Sequence, residues 1–350
     1  MRKKPIESQQ FIQRCFDLAY QARGRQSPNP MVGAVITVDQ KIIGEGYHQQ
    51  YGDNHAEINA IQAVKDPQRL KEASIFVSLE PCFHFGKTPP CVQTIMHEGF
   101  KSVAISVQDI NPLTAGRSVQ ALKANHQQVQ ENILFEKGQE LIRHFSTNIR
   151  LNRPFIVLKY ATSQDGFLGQ KDKQVWLSNP FSKRLAHLWR SKFDAILVGG
   201  QTVRTDNPRL STRYFNSINP LRIVLSKSDF FKKNLHIFDN NAPTIIASLN
   251  NNMLAPNPQT EIFQLDASRD YLKDLMEYLL AQKKVGTIII EGGRQTLQSF
   301  IVADLWDEAR IFRTPKILGH GIPEPILKKA VLHQRFPLDT DEVWVFRKSS

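Results

Sequence analysis

Between positions 55 and 91 the chain carries His55-Ala56-Glu57, then Leu79-Glu80-Pro81-Cys82, then eight residues, then Cys91. One imidazole and two thiolates give zinc three ligands and leave the fourth position to water, which distinguishes a catalytic zinc from a closed structural one. Zinc brings the pKa of its water to about 7, so hydroxide is available at neutral pH. Such a hydroxide attacks an amidine-like ring carbon that bears an exocyclic amine. Some group must then take the water proton, protonate the neighbouring ring nitrogen, and protonate the departing ammonia. Glu57, two residues beyond His55, is the expected carrier.

A histidine, a glutamate spaced by one residue, then Pro-Cys and a second Cys is the signature of zinc deaminases. A single His with two Cys is more often inert core. Here order, spacing, the Pro81-Cys82 step and Glu57 all agree, so the first half reads as a hydrolytic deaminase with His55, Cys82 and Cys91 as metal ligands.

These groups need elements to hold them. A helix from Ser8 carries Phe11, Ile12, Cys15, Phe16, Leu18 and Ala19 on one stripe, and Cys15 reads as core. Pro28-Asn29-Pro30 breaks the chain before a strand at Val32–Val38, with Ile42–Glu45 as its hairpin partner. Asn29 stands where a turn presents an amide to a ring edge, though Asn beside Pro is also plain turn chemistry. His55 opens a helix. Ser74–Leu79 is a strand delivering Cys82, and Cys91–Glu98 is a helix whose dipole favours a thiolate at its start. Strand Ser102–Val107 and a helix from Ser118 continue an α/β alternation. The long inter-cysteine loop places His84 and Lys87 beside the metal as candidate substrate contacts.

A polar, basic crossing at 146–154 separates a second α/β pattern. Phe155–Tyr160 is a strand. Ser178-Asn179-Pro180 starts a helix bearing Arg184, His187 and Arg190. Ala195–Val198 is a buried strand ending in Gly199-Gly200, after which Thr202–Arg213 reads as a loop. Thr287–Ile290 runs into Glu291-Gly292-Gly293 and a helix through Phe300. Glycines between a strand and a helix N-terminus suit an anion. This is not the G-x-G-x-x-G fingerprint, and a standard dinucleotide-binding fold is not supported.

At 350 residues the chain favours two domains over one. Three cysteines, two of them given to metal, leave no disulfide framework and suit the cytosol. No apolar run follows the basic N-terminus and none reaches the ~20 residues of a membrane helix, so neither a signal peptide nor a span is expected. Residues 1–150 hold 17 Lys+Arg against 14 Asp+Glu, a balance of +3; the rest hold 28 against 19, or +9. A basic second half suits phosphorylated ligands or nucleic acid, and equally a solvated surface.

Pro28-Asn29-Pro30-Met31-Val32-Gly33, His55-Ala56-Glu57, Leu79-Glu80-Pro81-Cys82, Gly86-Lys87-Thr88-Pro89-Pro90-Cys91 and Asn111-Pro112-Leu113-Thr114-Ala115-Gly116-Arg117 resemble the bifunctional deaminase–reductases of riboflavin biosynthesis. So do Leu158-Lys159, Asp194–Gly199, Asp206-Asn207-Pro208, Glu291-Gly292-Gly293 and Pro315–Gly319 in the second half. The resemblance implies a cytidine-deaminase-like α/β/α domain at 1–148 and a dihydrofolate-reductase-like α/β domain at 149–350. It implies zinc and NADPH as cofactors. The expected reactions are deamination of 2,5-diamino-6-(5-phosphoribosylamino)pyrimidin-4(3H)-one, then reduction of the ribose of 5-amino-6-(5-phosphoribosylamino)uracil to a ribityl chain. Carried over by position, Ala161, Trp176, Thr202, Asp206, Gly293, Arg294, Gln295 and Thr296 would meet NADPH. Lys159, Gln174, Arg190, Leu210, Arg213 and Glu291 would meet substrate, the arginines on its phosphate. A cytoplasmic homo-oligomer acting on phosphorylated pyrimidines, with neither nucleic acid nor membrane as partner, is expected. The chain departs from the family pattern at Ala34, Phe83, Ile110, Gln164, Phe167 and Gln174. Two alternatives stand beside this reading: a paralogue with a working deaminase and an impaired reductase, and a nucleic-acid-acting zinc deaminase.

Overall fold

The computed structural model describes residues 5–22, 24, 26–85, 89–171, 175–227 and 231–349, with side chains from residue 8 onward. It divides into two compact units, Met1–Asn152 and Arg153–Ser350, where the sequence reading put the division after 148. Lys87 and Gln174, two of the expected substrate contacts, lie outside the described residues.

In the first unit the order is α1 (Pro5–Ala19), β1 (Gly33–Val38), β2 (Lys41–Tyr47), α2 (Ala56–Gln62), β3 (Ser74–Leu79), α3 (Cys91–Glu98), β4 (Ser102–Val107), α4 (Arg117–Ala124), β5 (Gln128–Gln130), α5 (Phe135–Leu141) and α6 (Arg143–Leu151). The strands form one sheet in the order β2-β1-β3-β4-β5. β1 runs antiparallel to β2 and β3, whereas β3, β4 and β5 are parallel. Because side chains alternate across a strand, β1, β3 and β4 supply two cores. Ala34, Ile36, Ile75, Val77, Val103 and Ile105 cluster with α2, α3 and α4. Val35, Phe76 and Ala104 cluster with Ile12, Cys15, Phe16 and Ala19 of α1. The result is the expected α/β/α sandwich. Helix α1 starts at Pro5, not at Ser8, whose hydroxyl instead donates to Gln130 Oε1 at 3.1 Å. Proline in the first turn supplies the start that the Ser8 capping signal suggested.

Helix α2 lies directly on β2. A Cβ at Gly44 would stand 2.4 Å from Ala60 O, and one at Gly46 would stand 2.4 Å from Ala60 N and 2.5 Å from Ala56 O. Only glycine permits that approach.

The second unit contains β6 (Phe155–Thr162), β7 (Phe167–Gly169), α7 (Pro180–Arg190), β8 (Ala195–Gly199), α8 (Gly200–Asp206), β9 (Leu221–Ser226), β10 (Thr244–Ser248), β11 (Thr260–Gln264), α9 (Tyr271–Lys283), β12 (Thr287–Ile290), α10 (Arg294–Val302), β13 (Glu308–Arg313), β14 (Ile322–Pro323), β15 (Ala330–Leu338) and β16 (Asp341–Lys348). Nine strands pair in the order β11-β10-β9-β8-β12-β6-β13-β16-β15. The run from β11 to β13 is parallel, and β16 with β15 closes one edge as an antiparallel hairpin. Both faces of the parallel part are covered, one by a core including Ile156, Leu197, Ile288 and Phe300, the other by one including Val157, Ile196, Val203 and Ile289. This is the expected dihydrofolate-reductase-like α/β domain. The stretch after Gly199 is not all loop: Gly200–Asp206 is helix α8. Adjacent glycines and two threonines disguise it, and burial of Val203 in the core stabilises it.

Candidate active sites

In the first unit the candidate ligands come from three element ends. His55 is the N-cap of α2, Cys82 follows β3, and Cys91 is the first residue of α3. Their donor atoms all lie within 4.8 Å of one another. His55 Nδ1 stands 3.2 Å from Cys91 Sγ and 3.5 Å from Cys82 Sγ. The Cys91 amide donates to Cys82 Sγ at 3.2 Å. Ligands on a tetrahedral zinc, with Zn–N near 2.0 Å and Zn–S near 2.3 Å, are spaced by about 3.5–3.8 Å. The three side chains therefore already outline one face of such a tetrahedron.

Their proton affinities belong to one tightly coupled cluster. A hydrogen bond with Cys91 comes first among the causes that hold the Cys82 thiol down, to about 4; the same bond drives Cys91 up. Its hydrogen bond with Cys82 raises His55 to about 9. Glu57, in the first turn of α2, is 3% exposed, and burial pushes its carboxyl up to about 7 against the pull of His55.

Asn29 is held by a residue the sequence reading missed. His48 Nδ1 lies 3.1 Å from Asn54 O, so it donates there, and its Nε2 accepts from the Asn29 amide at 3.0 Å. The His48 ring stands edge-on to His55 with centroids 5.5 Å apart. His84 lies beside a cleft of about 400 Å³ with Phe83, Phe85 and Arg117, and its Nδ1 is 3.4 Å from Thr114 Oγ1. Arg117 lies over the Phe83 ring at 4.6 Å.

In the second unit the charged residues converge near the carboxyl ends of central parallel strands. Glu291 follows β12, Lys159 belongs to β6 and Arg190 ends α7. Arg190 grips Glu291 with two donors, Nε to Oε1 and Nη2 to Oε2, each at 2.7 Å. Lys159 Nζ donates to Glu291 Oε2 at 3.3 Å. Burial alone would raise the Glu291 carboxyl, but the charges of Arg190 and Lys159 prevail and hold it at about 2. Burial lowers the Lys159 ammonium. His187, one turn before Arg190, was singled out in the sequence only as part of a basic face. It is 2% exposed, its Nδ1 has no hydrogen-bond partner among the described residues, and burial followed by the Arg190 and Arg213 charges pulls it down to about 4.

The arginine fork expected on phosphate thus faces Glu291 at Arg190, with Nη1 3.4 Å from Ser211 O. Arg213 is exposed, its Nη1 3.4 Å from Ser211 Oγ, and it lines a cavity of about 330 Å³ with Leu210. The Leu210 side chain is 4% exposed and belongs to the apolar core.

The residues expected at NADPH fall in two groups. Thr202 Oγ1 accepts the Gly293 amide at 3.2 Å, joining α8 to the N-cap of α10. Arg294, Gln295 and Thr296 form the first turn of α10, and the buried Arg294 Nε has no hydrogen-bond partner among the described residues. Asp206 ends α8, and burial raises its carboxyl. Ala161 lies on β6, and Trp176 is 65% exposed with Lys183 Nζ 5.2 Å from its ring.

Residues 154–344 match the RibD C-terminal domain, and residues 5–107 match the cytidine and deoxycytidylate deaminase zinc-binding region. The riboflavin biosynthesis protein RibD of Aquifex aeolicus is 33% identical over 316 residues, covering 89% of this chain and 88% of that protein. The chain belongs to the RibD family. The RibD protein of Escherichia coli K12 is 29% identical over 330 residues, with 90% and 89% covered. A solved Thermotoga maritima structure, a diaminohydroxyphosphoribosylaminopyrimidine deaminase/5-amino-6-(5-phosphoribosylamino)uracil reductase, agrees with a TM-score of 0.90 at 30% identity over 98% of this chain and 99% of that one. Acinetobacter baumannii RibD agrees with a TM-score of 0.89 at 26% identity, over 99% and 100%. This RibD-family chain is a bifunctional enzyme of riboflavin biosynthesis, with a zinc-binding deaminase domain and an NADPH-using reductase domain.

Proposed function

We propose that the first unit deaminates 2,5-diamino-6-(5-phosphoribosylamino)pyrimidin-4(3H)-one and that the second reduces the ribose of 5-amino-6-(5-phosphoribosylamino)uracil to a ribityl chain. The observation that carries this reading is the buried Glu57 beside three donor atoms within 4.8 Å of one another. His55, Cys82 and Cys91 hold zinc, which when bound supplies a water that ionises near neutral pH. Glu57 takes the water proton and delivers protons to the ring nitrogen and the leaving ammonia, as a new C–O bond replaces the C–N bond. Asn29, His84 and Lys87 orient the ring and its substituents.

In the reductase, NADPH supplies a hydride to the ribose C1′. The protein's task is placement, since the reacting carbons must come within about 3–3.5 Å. Ala161, Trp176, Thr202, Asp206 and the Gly293–Thr296 turn hold the cofactor. Lys159, Gln174, Arg190, Leu210, Arg213 and Glu291 hold the substrate, with the exposed Arg213 on its phosphate. Lys159, whose proton is loosened by burial and steadied by Glu291, protonates the ribose ring oxygen as the ring opens. The assembled Lys159–Glu291–Arg190 cluster supports a working reductase over an impaired one. A cytoplasmic homo-oligomer completes the proposal, and light scattering of the purified protein tests its assembly.

Mass analysis after incubation with the diaminopyrimidine tests both halves. Deaminated product without NADPH, and deaminated and reduced product with it, is the expected result. Deaminated product alone in both tubes would restore the impaired-reductase alternative, and no turnover in either would overturn the proposal.

A further inference from the structure

Glu80 lies two residues before Cys82, is 2% exposed, and has no part in the proton transfer. Its carboxylate accepts four main-chain N–H bonds from residues 109–119. Oε2 takes Asp109 N at 3.1 Å and Gly116 N at 2.9 Å. Oε1 takes Ser118 N at 3.1 Å and Val119 N at 3.2 Å. The last two are amides of the first turn of α4, where donors lack helical partners and an anion is favoured. Gly116 caps that helix at φ +73, and a Cβ there would stand 2.5 Å from Gln108 Nε2. Glycine thus lets the Gly116 amide turn toward Glu80.

The segment so fixed carries Thr114, wholly buried, with its hydroxyl 3.4 Å from His84 Nδ1. We propose that Glu80 is a positioning residue for deamination: it fastens residues 109–119 to the Cys82 strand end and, through Thr114, sets the position of His84. The inference rests on the reading of His84 as a substrate contact. A carboxylate suits the role because both oxygens accept. An amide would turn one NH2 group toward two N–H donors, leaving those donors unpaired.

The test is a double-mutant cycle on deamination of the same pyrimidine, using the full chain with zinc bound. Glu80→Gln should retain the zinc stoichiometry and the NADPH-dependent reduction by the second unit, while kcat/KM for deamination falls on the order of 100-fold, mostly through KM. His84→Ala should lower it about tenfold. In the double variant the two losses should fall well short of multiplying, because residues acting through one another are not additive. Thr114→Val, which exchanges the hydroxyl for a methyl group, should lower kcat/KM about tenfold and also fail to multiply with His84→Ala. Fully multiplicative losses for both pairs, or a Glu80→Gln enzyme with wild-type KM, would overturn the inference. His84→Ala at wild-type kcat/KM would instead overturn the substrate reading of His84, and the inference with it.

Discussion

The two active regions bring their groups together in different ways. In the deaminase, the proposed ligands and proton carrier lie between His55 and Cys91, at the ends of α2, β3 and α3. In the reductase, Lys159, Arg190 and Glu291 are drawn from three elements, and the bonds among them span up to 132 residues of sequence. Metal-assisted hydrolysis needs specific donors at fixed angles, and short motifs on neighbouring element ends supply them. Hydride transfer asks the protein chiefly for placement, and residues from anywhere in the fold serve if the sheet delivers them to one edge. The first kind of site leaves a signature in the sequence. The second leaves a charge network visible only once the chain is folded.

The comparison breaks most sharply at Glu57. Glu57→Gln should keep zinc and lose deamination by a factor on the order of 10⁴, with reduction of the deaminated pyrimidine unchanged. Full deaminase activity in a zinc-replete variant would remove Glu57 from the mechanism.

The corresponding change in the second unit, Glu291→Gln, should act on stability as well as turnover. It leaves Arg190 and Lys159 buried without their anion, and breaking such a pair costs about 3–5 kcal/mol. All four tryptophans, at 176, 189, 306 and 344, lie in this unit, so urea unfolding followed by tryptophan fluorescence reports it selectively. An unchanged midpoint would show that the ion cluster contributes nothing to the fold.

A smaller effect sharpens the contrast through pH. Glu291 falls from an ordinary 4.5 to about 2 on folding, so its contribution is complete above pH 4.5 and is lost as pH falls toward 2. His187 falls from 6.5 to about 4 because the fold keeps it neutral, and its contribution is lost as pH drops from 6.5 toward 4. His187→Gln should flatten the upper part of the stability profile and leave the lower part standing. A profile unchanged between those limits would place the acid sensitivity elsewhere. The smallest change is Thr202→Val, which removes the acceptor of the Gly293 amide and should weaken NADPH binding by about 1 kcal/mol, roughly fivefold, in a fluorescence titration.

The same contrast governs what the sequence discloses. The α/β alternation of the first unit, the burial of Cys15 and the helix opening at Cys91 follow from signals read locally, whereas the α/β/α layering came from the family resemblance. His48 behind Asn29 and Glu80 beneath the 109–119 segment do not, because their roles depend on partners set by the tertiary fold. Helix α8 was hidden because glycines and threonines have poor helix propensity, and burial of Val203 decided the matter. The turn of Arg190 toward Glu291 needed 101 residues of chain to close. Resemblance named both residues but not the bond between them.

The seating of α2 on Gly44 and Gly46 has a mechanical consequence. A helix spaced from its sheet by side chains shifts when those side chains are exchanged, because each methylene alters the gap. Helix α2 bears instead on the polypeptide backbone itself, which mutation at other positions does not thicken or thin. The height of His55 and Glu57 above the sheet is therefore gauged by main-chain dimensions, and core substitutions can accumulate beneath α3 and α4 while this reference plane stays where it is.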